Sequence, residues 1–213
     1  QGGAVQLTVP ADLAVCAACV GDLEDPTDRH HNYAFTSCTE CGPRFSMLAA
    51  LPFDRAHTSM APFALCPACA REYADLGDRR CHAQAIACPA CGPRLWLATP
   101  DGVEIPERDP LQAAAQRLER GEIVGIQGLG GFHLACDGTN AAAVAELRRR
   151  KRRDDKPFAV MVADLAAAET LAVLDDEARR VLTSTTRPIV LAPLRSSSPS
   201  SLAPGVAGAS LRV

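Results

Sequence analysis

Four pairs of cysteines, each of the form Cys-x-x-Cys, constrain this chain more than any other feature of its sequence. They are Cys16 and Cys19, Cys38 and Cys41, Cys66 and Cys69, and Cys88 and Cys91. The pairs are separated by 18, 24 and 18 residues. One such turn presents two thiolates on the same side of a tight loop, and two turns complete the tetrahedron of sulfur ligands typical of structural zinc. The spacing therefore predicts two zinc sites with four cysteine ligands each.

The cysteine frame is also an internal repeat. Residues 16–45 and 66–95 align at an offset of 50, with 11 identities in 30 positions. Beyond the cysteines, the shared residues include the Asp-Arg pairs at 28–29 and 78–79 and the Gly-Pro-Arg segments that follow Cys41 and Cys91. A match at a fixed period indicates a duplicated structural unit. We therefore favour one site within each repeat, while a nested arrangement of outer and inner pairs stays open from the sequence alone.

Other cysteine chemistry fits the pattern less well. Four closely spaced disulfides would be unusual without a signal for secretion, and redox Cys-x-x-Cys motifs occur singly. Iron–sulfur ligation is the strongest rival, but its usual spacings are more compact. Cys81 has no spare partner, and the nearby histidines are expected to be surface or packing residues; they are His30, His31, His57 and His82. Sites filled by four thiolates leave no open position, so we expect the metals to stabilise the fold rather than to catalyse.

Composition narrows the class of protein further. With 213 residues and a 47% apolar fraction, the chain is long enough for one or two folded domains. It has no membrane-length apolar stretch and no secretion signal, so we expect a cytoplasmic protein. Residues 11–100 hold seven arginines, no lysine and ten acidic residues, which argues against a nucleic-acid surface. Because the chain begins at Gln1 rather than at Met, we expect it to be an internal piece of something longer.

The second half has a different pattern, in which helices alternate with strands. Helices are predicted over 110–120, 141–150, 164–174 and 175–182, and strands over 123–126, 132–136, 158–162 and 188–191. Such alternation indicates an α/β or α+β domain. The Ser-rich stretch 195–213 has the composition of a linker or loop.

Two segments of this half suggest a binding site, although each has an ordinary explanation. The glycines around Gly128, Gly130 and Gly131 do not have dinucleotide-binding spacing and can simply form a turn between strands. The run from Arg148 to Lys156 contains the only two lysines of the chain, Lys151 and Lys156. Cations are favoured at the end of a helix, so the run can be a solvated helix terminus, or it can be a phosphate site.

Taken together, these segments resemble the HypF family of [NiFe]-hydrogenase maturation proteins. The resemblance rests on the eight-cysteine frame and on six shorter segments, which are Cys41-Gly42-Pro43-Arg44-Phe45, His57-Thr58-Ser59-Met60, Arg79-Arg80-Cys81-His82-Ala83-Gln84, Gly128–Asp137, Lys151-x-Arg153 and Lys156-Pro157-Phe158-Ala159. It implies a small two-zinc module followed by an incomplete α/β domain of the YrdC/Sua5 type, whose fold is similar to double-stranded-RNA-binding folds. The family's N-terminal acylphosphatase-like domain and C-terminal transferase domain are not represented.

The resemblance also implies an activity. Proteins of this family use carbamoyl phosphate and ATP to form carbamoyl adenylate, and they transfer the carbamoyl group to the C-terminal cysteine of HypE, where it becomes a cyanide ligand. Residues expected to bind the nucleotide are Lys151, Arg153, Lys156, Gly130, Gly131 and His133, with Arg150 and Arg152 as alternates. No catalytic residue is assigned, and the chain by itself is not expected to complete the reaction.

The expected organisation is a linker at 1–10, the zinc module at 11–98, the partial YrdC-like domain at 105–194 and a tail at 195–213. Two other functions remain open. A threonylcarbamoyl-AMP synthase of the YrdC type would share the second half but not the cysteine pairs. A zinc-dependent protein-binding module would share the cysteines but would not bind ATP.

Overall fold

The computed structural model describes residues 9–128, 130–153, 156–195, 202–207 and 210–213. The chain divides between Arg94 and Leu95 into two compact units, which we call the cysteine unit and the helical unit. The division lies close to the boundary expected from the sequence. In the described part of the chain, no helix combines the length and apolar character needed to cross a membrane.

The cysteine unit has little regular secondary structure. Its two α-helices are α1, Ala17–Glu24, and α2, Pro67–Ala74, and two 3-10 turns lie at Phe45–Met47 and Arg55–His57. Both α-helices begin immediately after the first cysteine of a repeat, since Cys16 and Cys66 are their N-cap residues. The second cysteine of each pair therefore lies in the first helical turn, on the same side as the cap residue.

The buried interior of the cysteine unit consists largely of sulfur. One cluster is formed by three buried cysteines of the first repeat, and another by Cys69 and Cys88 with Ala83 and Ile86. A third, conventional cluster lies around Tyr33, Met47, Met60 and Ala87. The apolar side chains are too few for a core of ordinary size, as expected for a unit that relies on metal.

The helical unit is built from short hairpins and capped helices. Its strands are β1 (Leu97–Ala98), β2 (Glu104–Ile105), β3 (Val124–Gly128), β4 (Gly131–Ala135), β5 (Leu191–Pro193) and β6 (Ser210–Arg212). Its helices are α3 (Pro110–Glu119), α4 (Ala141–Lys151), α5 (Leu165–Leu171) and α6 (Asp176–Leu182). The strands pair antiparallel as β1–β2, β3–β4 and β5–β6.

The four helices start where the sequence places them, because each has a short polar N-cap. The side chains of Asp109, Asn140, Asp164 and Asp175 each accept a hydrogen bond from the backbone amide three residues later. A cap of this kind satisfies one of the amides left unpaired at a helix start. The core of the unit is apolar and includes Val144, Ala168, Leu171, Ala172 and Leu174.

Three expectations for this unit are corrected. Residues 158–162 do not form a strand, since only Ala159 makes an isolated bridge, with Arg212. The strand expected at 188–191 is displaced to Leu191–Pro193, and the helix expected over 164–174 ends at Leu171. The stretch 195–213 is more than a linker, because its described parts supply β6 and the buried residues Ala203 and Val206. The missing signal was burial: short apolar runs pack against the core without regular pairing.

Candidate metal centres and basic segment

The eight paired cysteines form two clusters, one within each repeat. Cys16, Cys19, Cys38 and Cys41 make up the first cluster, and Cys66, Cys69, Cys88 and Cys91 the second. The prediction that each repeat closes its own site is confirmed, and the nested arrangement is excluded. All ten cysteines of the chain are unbridged, so the disulfide alternative is excluded as well.

The sulfur atoms have the separations that a tetrahedral metal site requires. In the first cluster, three neighbouring Sγ–Sγ distances are 3.7, 3.8 and 3.6 Å. The matching distances in the second cluster are 3.7, 3.8 and 3.5 Å. A tetrahedron with zinc–sulfur bonds of about 2.3 Å has edges of about 3.8 Å. The residues therefore fit zinc, which they would hold by four thiolates with no position left for substrate.

The local environment prepares the first cysteine of each repeat to ionise. The backbone amide of Cys69, helped by neighbouring thiols, lowers the pKa of Cys66 to about 6. For Cys16, burial acts to raise the pKa, but the amide of Cys19 and the neighbouring thiols outweigh it and lower the pKa to about 7. Burial raises the pKa values of Cys19 and Cys69, whose side chains are completely enclosed. Those two thiolates thus depend on compensating charge or on a metal.

The second pair of each cluster sits in a turn that only glycine can complete. Gly42 has a φ of +89°, a conformation that residues with a side chain rarely adopt. At Gly92 a Cβ atom would overlap the hydroxyl group of Tyr33. Tyr33 belongs to the first repeat, and its hydroxyl donates a hydrogen bond to the carbonyl oxygen of Pro93 at 3.1 Å. The turn of the second repeat is therefore closed by a residue of the first.

Arginines also connect the repeats, directly at the sulfur atoms. Arg29 of the first repeat donates from Nη1 and Nη2 to Cys69 Sγ, both at 3.3 Å. Arg79 of the second repeat donates from Nη1 to Cys19 Sγ at 2.9 Å. Sequence reasoning did not predict these roles. The signal was present, because the two arginines are among the identities that align the repeats.

A third group of possible ligands does not form a comparable site. Asp22, Asp28 and His30 lie near one another, but the carboxylate of Asp22 already forms ion pairs with Arg79 and Arg80. Two guanidinium groups on one carboxylate leave little net negative charge for a cation. Cys81 lies outside both clusters and is half-buried.

In the helical unit, the glycine segment forms a hairpin. Gly128 pairs with Gly131 at the end of the β3–β4 ladder, and His133 lies opposite Ile126 within it. Gly130, Gly131 and His133 are exposed. The ordinary explanation of the glycines as a turn between strands is thus correct for their conformation. Whether these residues also bind nucleotide stays a prediction.

The basic segment divides into residues that are held and residues that are not. Arg149 and Arg150 both form ion pairs with Glu146, and Arg152 ends α4 in a left-handed conformation. Arg153 has its guanidinium 5.6 Å from the centroid of the Phe158 ring and donates to the carbonyl oxygen of Pro157 at 3.2 Å. Within the described ranges, the exposed ammonium groups of Lys151 and Lys156 have neither a hydrogen bond nor an ion pair.

Comparison with known families matches both units. The HypF finger family matches residues 15–48 and 65–98, which are the two cysteine repeats. A family described as "Telomere recombination", which groups Sua5, YciO and YrdC proteins, matches residues 116–213. The helical unit is accordingly a YrdC-like α/β domain.

Individual proteins match across nearly the whole chain. Carbamoyltransferase HypF2 of Cupriavidus necator is 57% identical over 91% of this chain, and carbamoyltransferase HypF of Rhodobacter capsulatus is 55% identical over 93%. A crystal structure of full-length HypF in the phosphate- and nucleotide-bound form covers 96% of the chain at 43% identity, with a TM-score of 0.88. The chain spans about a quarter of the length of these relatives, namely 24% and 26% of the two carbamoyltransferases and 27% of the crystallised chain.

Proposed function

This chain belongs to the HypF family of carbamoyltransferases, and from that premise we propose that it supplies the zinc-binding and nucleotide-binding parts of an enzyme of [NiFe]-hydrogenase maturation. In this reaction carbamoyl phosphate and ATP give carbamoyl adenylate. The carbamoyl group then passes to the C-terminal cysteine of HypE. The observation that carries the proposal is identity of 55–57% to two carbamoyltransferases over more than nine-tenths of the chain.

The two metal sites take a structural role in this proposal. Each cluster offers four thiolates at tetrahedral spacing, so zinc would be fully coordinated by protein. Reduced, unbridged cysteines persist in a reducing compartment, which supports the cytoplasm as the place of the reaction.

We propose the helical unit as the site of nucleotide chemistry. Adenylation requires cations that neutralise the phosphates of both substrates. The unpaired ammonium groups of Lys151 and Lys156 are suited to this task, because no carboxylate of the described residues competes for them. Arg153 would contribute from a fixed position beside Phe158, and Gly130, Gly131 and His133 would line the site from the exposed hairpin.

Metal analysis tests the first part of the proposal. The purified 213-residue chain should contain two zinc ions. One ion or none would contradict two structural sites, and iron with visible charge-transfer absorption would replace the zinc assignment by an iron–sulfur one.

Substitution of Lys156 tests the second part. Lys156→Ala should weaken ATP binding to the chain, measured by calorimetry. The equivalent change in a full-length HypF should slow carbamoyl-phosphate-dependent pyrophosphate release by about ten- to a thousand-fold. Arg108→Ala is the matched control, because it removes one exposed positive charge from the same unit outside the YrdC-like match.

The same assays separate the alternatives. Dependence of pyrophosphate release on threonine would favour a threonylcarbamoyl-AMP synthase. The absence of any ATP binding by the wild-type chain would favour a protein-binding module. Equal activity of wild type and Lys156→Ala would return the basic segment to the role of a solvated helix end.

A further inference from the structure

The contacts between arginines and sulfur atoms are reciprocal. Arg29 and Arg79 are 50 residues apart, and so are their sulfur partners Cys69 and Cys19. The acids that orient the two guanidinium groups follow the same rule. Glu72 accepts from Arg29 Nε at 2.8 Å and from Nη2 at 2.5 Å, and Asp22, 50 residues earlier, forms an ion pair with Arg79. Each cluster is thus completed by an arginine from the other repeat.

The contacted sulfur atoms are those most in need of a partner. Cys19 and Cys69 are the two cysteines with no solvent exposure, and burial raises the pKa of each thiol. Four thiolates around one zinc ion leave a net charge of two negative. Water cannot compensate this charge at an enclosed sulfur, whereas a guanidinium in hydrogen-bond contact can.

The position of each arginine depends in turn on its own repeat. Arg29 lies between Cys19 and Cys38, in a segment fixed by local backbone hydrogen bonds such as His31 N–H to the carbonyl oxygen of Asp28 at 3.1 Å. This segment connects the two ligand pairs of the first cluster. Metal in the first cluster closes the segment and so holds Arg29 in place. The same relation applies to Arg79 and the second cluster.

We infer that the two zinc sites are coupled through Arg29 and Arg79, so that filling either site strengthens zinc binding at the other. Thermodynamic linkage makes the effect equal in both directions. Loss of an outer-shell partner typically lowers metal affinity by about 10- to 100-fold, which sets the expected size of the coupling. The inference rests on the proposal that both clusters bind zinc, and its test reports on the two ideas separately.

The first experiment is a zinc titration of the metal-free 213-residue chain, followed by native mass spectrometry. With two equal and independent sites, about half of the molecules carry one zinc at half saturation, whereas a tenfold coupling lowers this fraction to about a quarter. The double variant Arg29→Gln/Arg79→Gln should accumulate more of the one-zinc form than wild type. Equal fractions in the two proteins would overturn the coupling. Failure of the wild type to bind two zinc ions would instead overturn the zinc proposal.

The second experiment follows one cluster while the other is destroyed. Cys16→Ser/Cys19→Ser removes the first site, and chelator competition then measures zinc affinity at the second. We expect a loss of about 10-fold or more, with a similar loss in Arg29→Gln and no additional loss when both changes are combined. Arg71→Gln is the control, because Arg71 is an exposed arginine of α2 next to Glu72 without a contact to sulfur. An unchanged affinity at the second cluster after loss of the first would overturn the inference.

A spectroscopic measurement keeps the test valid if a variant is partly unfolded. Cobalt in place of zinc gives sulfur-to-metal charge-transfer bands that respond to hydrogen bonds at the sulfur. In the fraction that retains cobalt, Arg29→Gln should shift the bands of the second cluster, and Arg71→Gln should not. Identical spectra for wild type and Arg29→Gln would show that the guanidinium does not act on the thiolate.

Discussion

The cysteine unit and the helical unit bury different kinds of atoms. In the cysteine unit, five of the buried residues are cysteines of the clusters, and His30, Thr36, Ser37 and Arg80 are buried with them. In the helical unit, the core is aliphatic and surrounds Val144 and Leu171. One unit depends on ligand bonds and ion pairs, and the other on removal of apolar surface from water. Within one chain, the two units should therefore respond to different perturbations.

The largest expected effect is loss of metal from the cysteine unit. Chelation, or Cys38→Ser, should unfold residues 16–95 and leave the helical unit folded, because a site with three thiolates loses much of its affinity. Hydrogen exchange measured by mass spectrometry resolves the two units in one experiment. Cys81→Ser serves as the control, since Cys81 belongs to neither cluster. Simultaneous unfolding of both units would show that the contrast between them is not one of stability.

A smaller effect is expected from the opposite substitution. Leu171→Ala removes a core side chain that is 8% exposed, and it should lower the free energy of unfolding of the helical unit by about 2–5 kcal/mol. Zinc content and protection of residues 16–95 should not change. Urea unfolding followed by hydrogen exchange measures both quantities. A variant that loses zinc would contradict the separation of the two units.

The smallest effect concerns pH and lies within the cysteine unit. Burial, together with Arg80 and Arg29, lowers the pKa of His30, although Asp28 and Glu72 act in the other direction. Below a pH of about 6.5 the unfolded chain therefore takes up a proton at His30 before the folded chain does, and stability falls as pH decreases. His30→Gln should reduce the stability lost between about pH 7.5 and pH 5.5 by up to about 1 kcal/mol.

The difference between wild type and His30→Gln isolates this contribution, because acid protonates the cysteine ligands in both proteins. Unfolding in urea at saturating zinc provides the measurement. Parallel pH profiles would show that His30 takes up its proton equally in the folded and unfolded chain.

How much the sequence predicted also differs between the units. The cysteine clusters followed from spacing, because a metal site requires few residues in a fixed local pattern. The helix starts at Asp109 and Asn140 followed from capping chemistry, which is equally local. The failures were non-local. Phe158 lies at the start of an expected strand, yet it is covered by the guanidinium of Arg148 at 4.6 Å and its amide donates to the carbonyl oxygen of Val206.

The same limit explains the residues that sequence reasoning missed at the metal centres. Arg29 and Arg79 stood out as identities between the repeats, but a one-dimensional alignment does not show that each faces the sulfur of the other repeat. Tyr33 has no counterpart in the second repeat, where Ala83 takes its place. Its contact with the turn at Gly92 could not be anticipated from a pattern shared by both copies.

The exchange of arginines has a geometric consequence for the repeat itself. When position 29 of one copy meets position 72 of the other, and position 79 meets position 22, the contacts have the pattern of an isologous interface. In such an interface a surface is complementary to itself. A single repeat already carries both the arginine and the acid that the joint requires, so two identical copies have the groups needed to join as a symmetric pair without any linker.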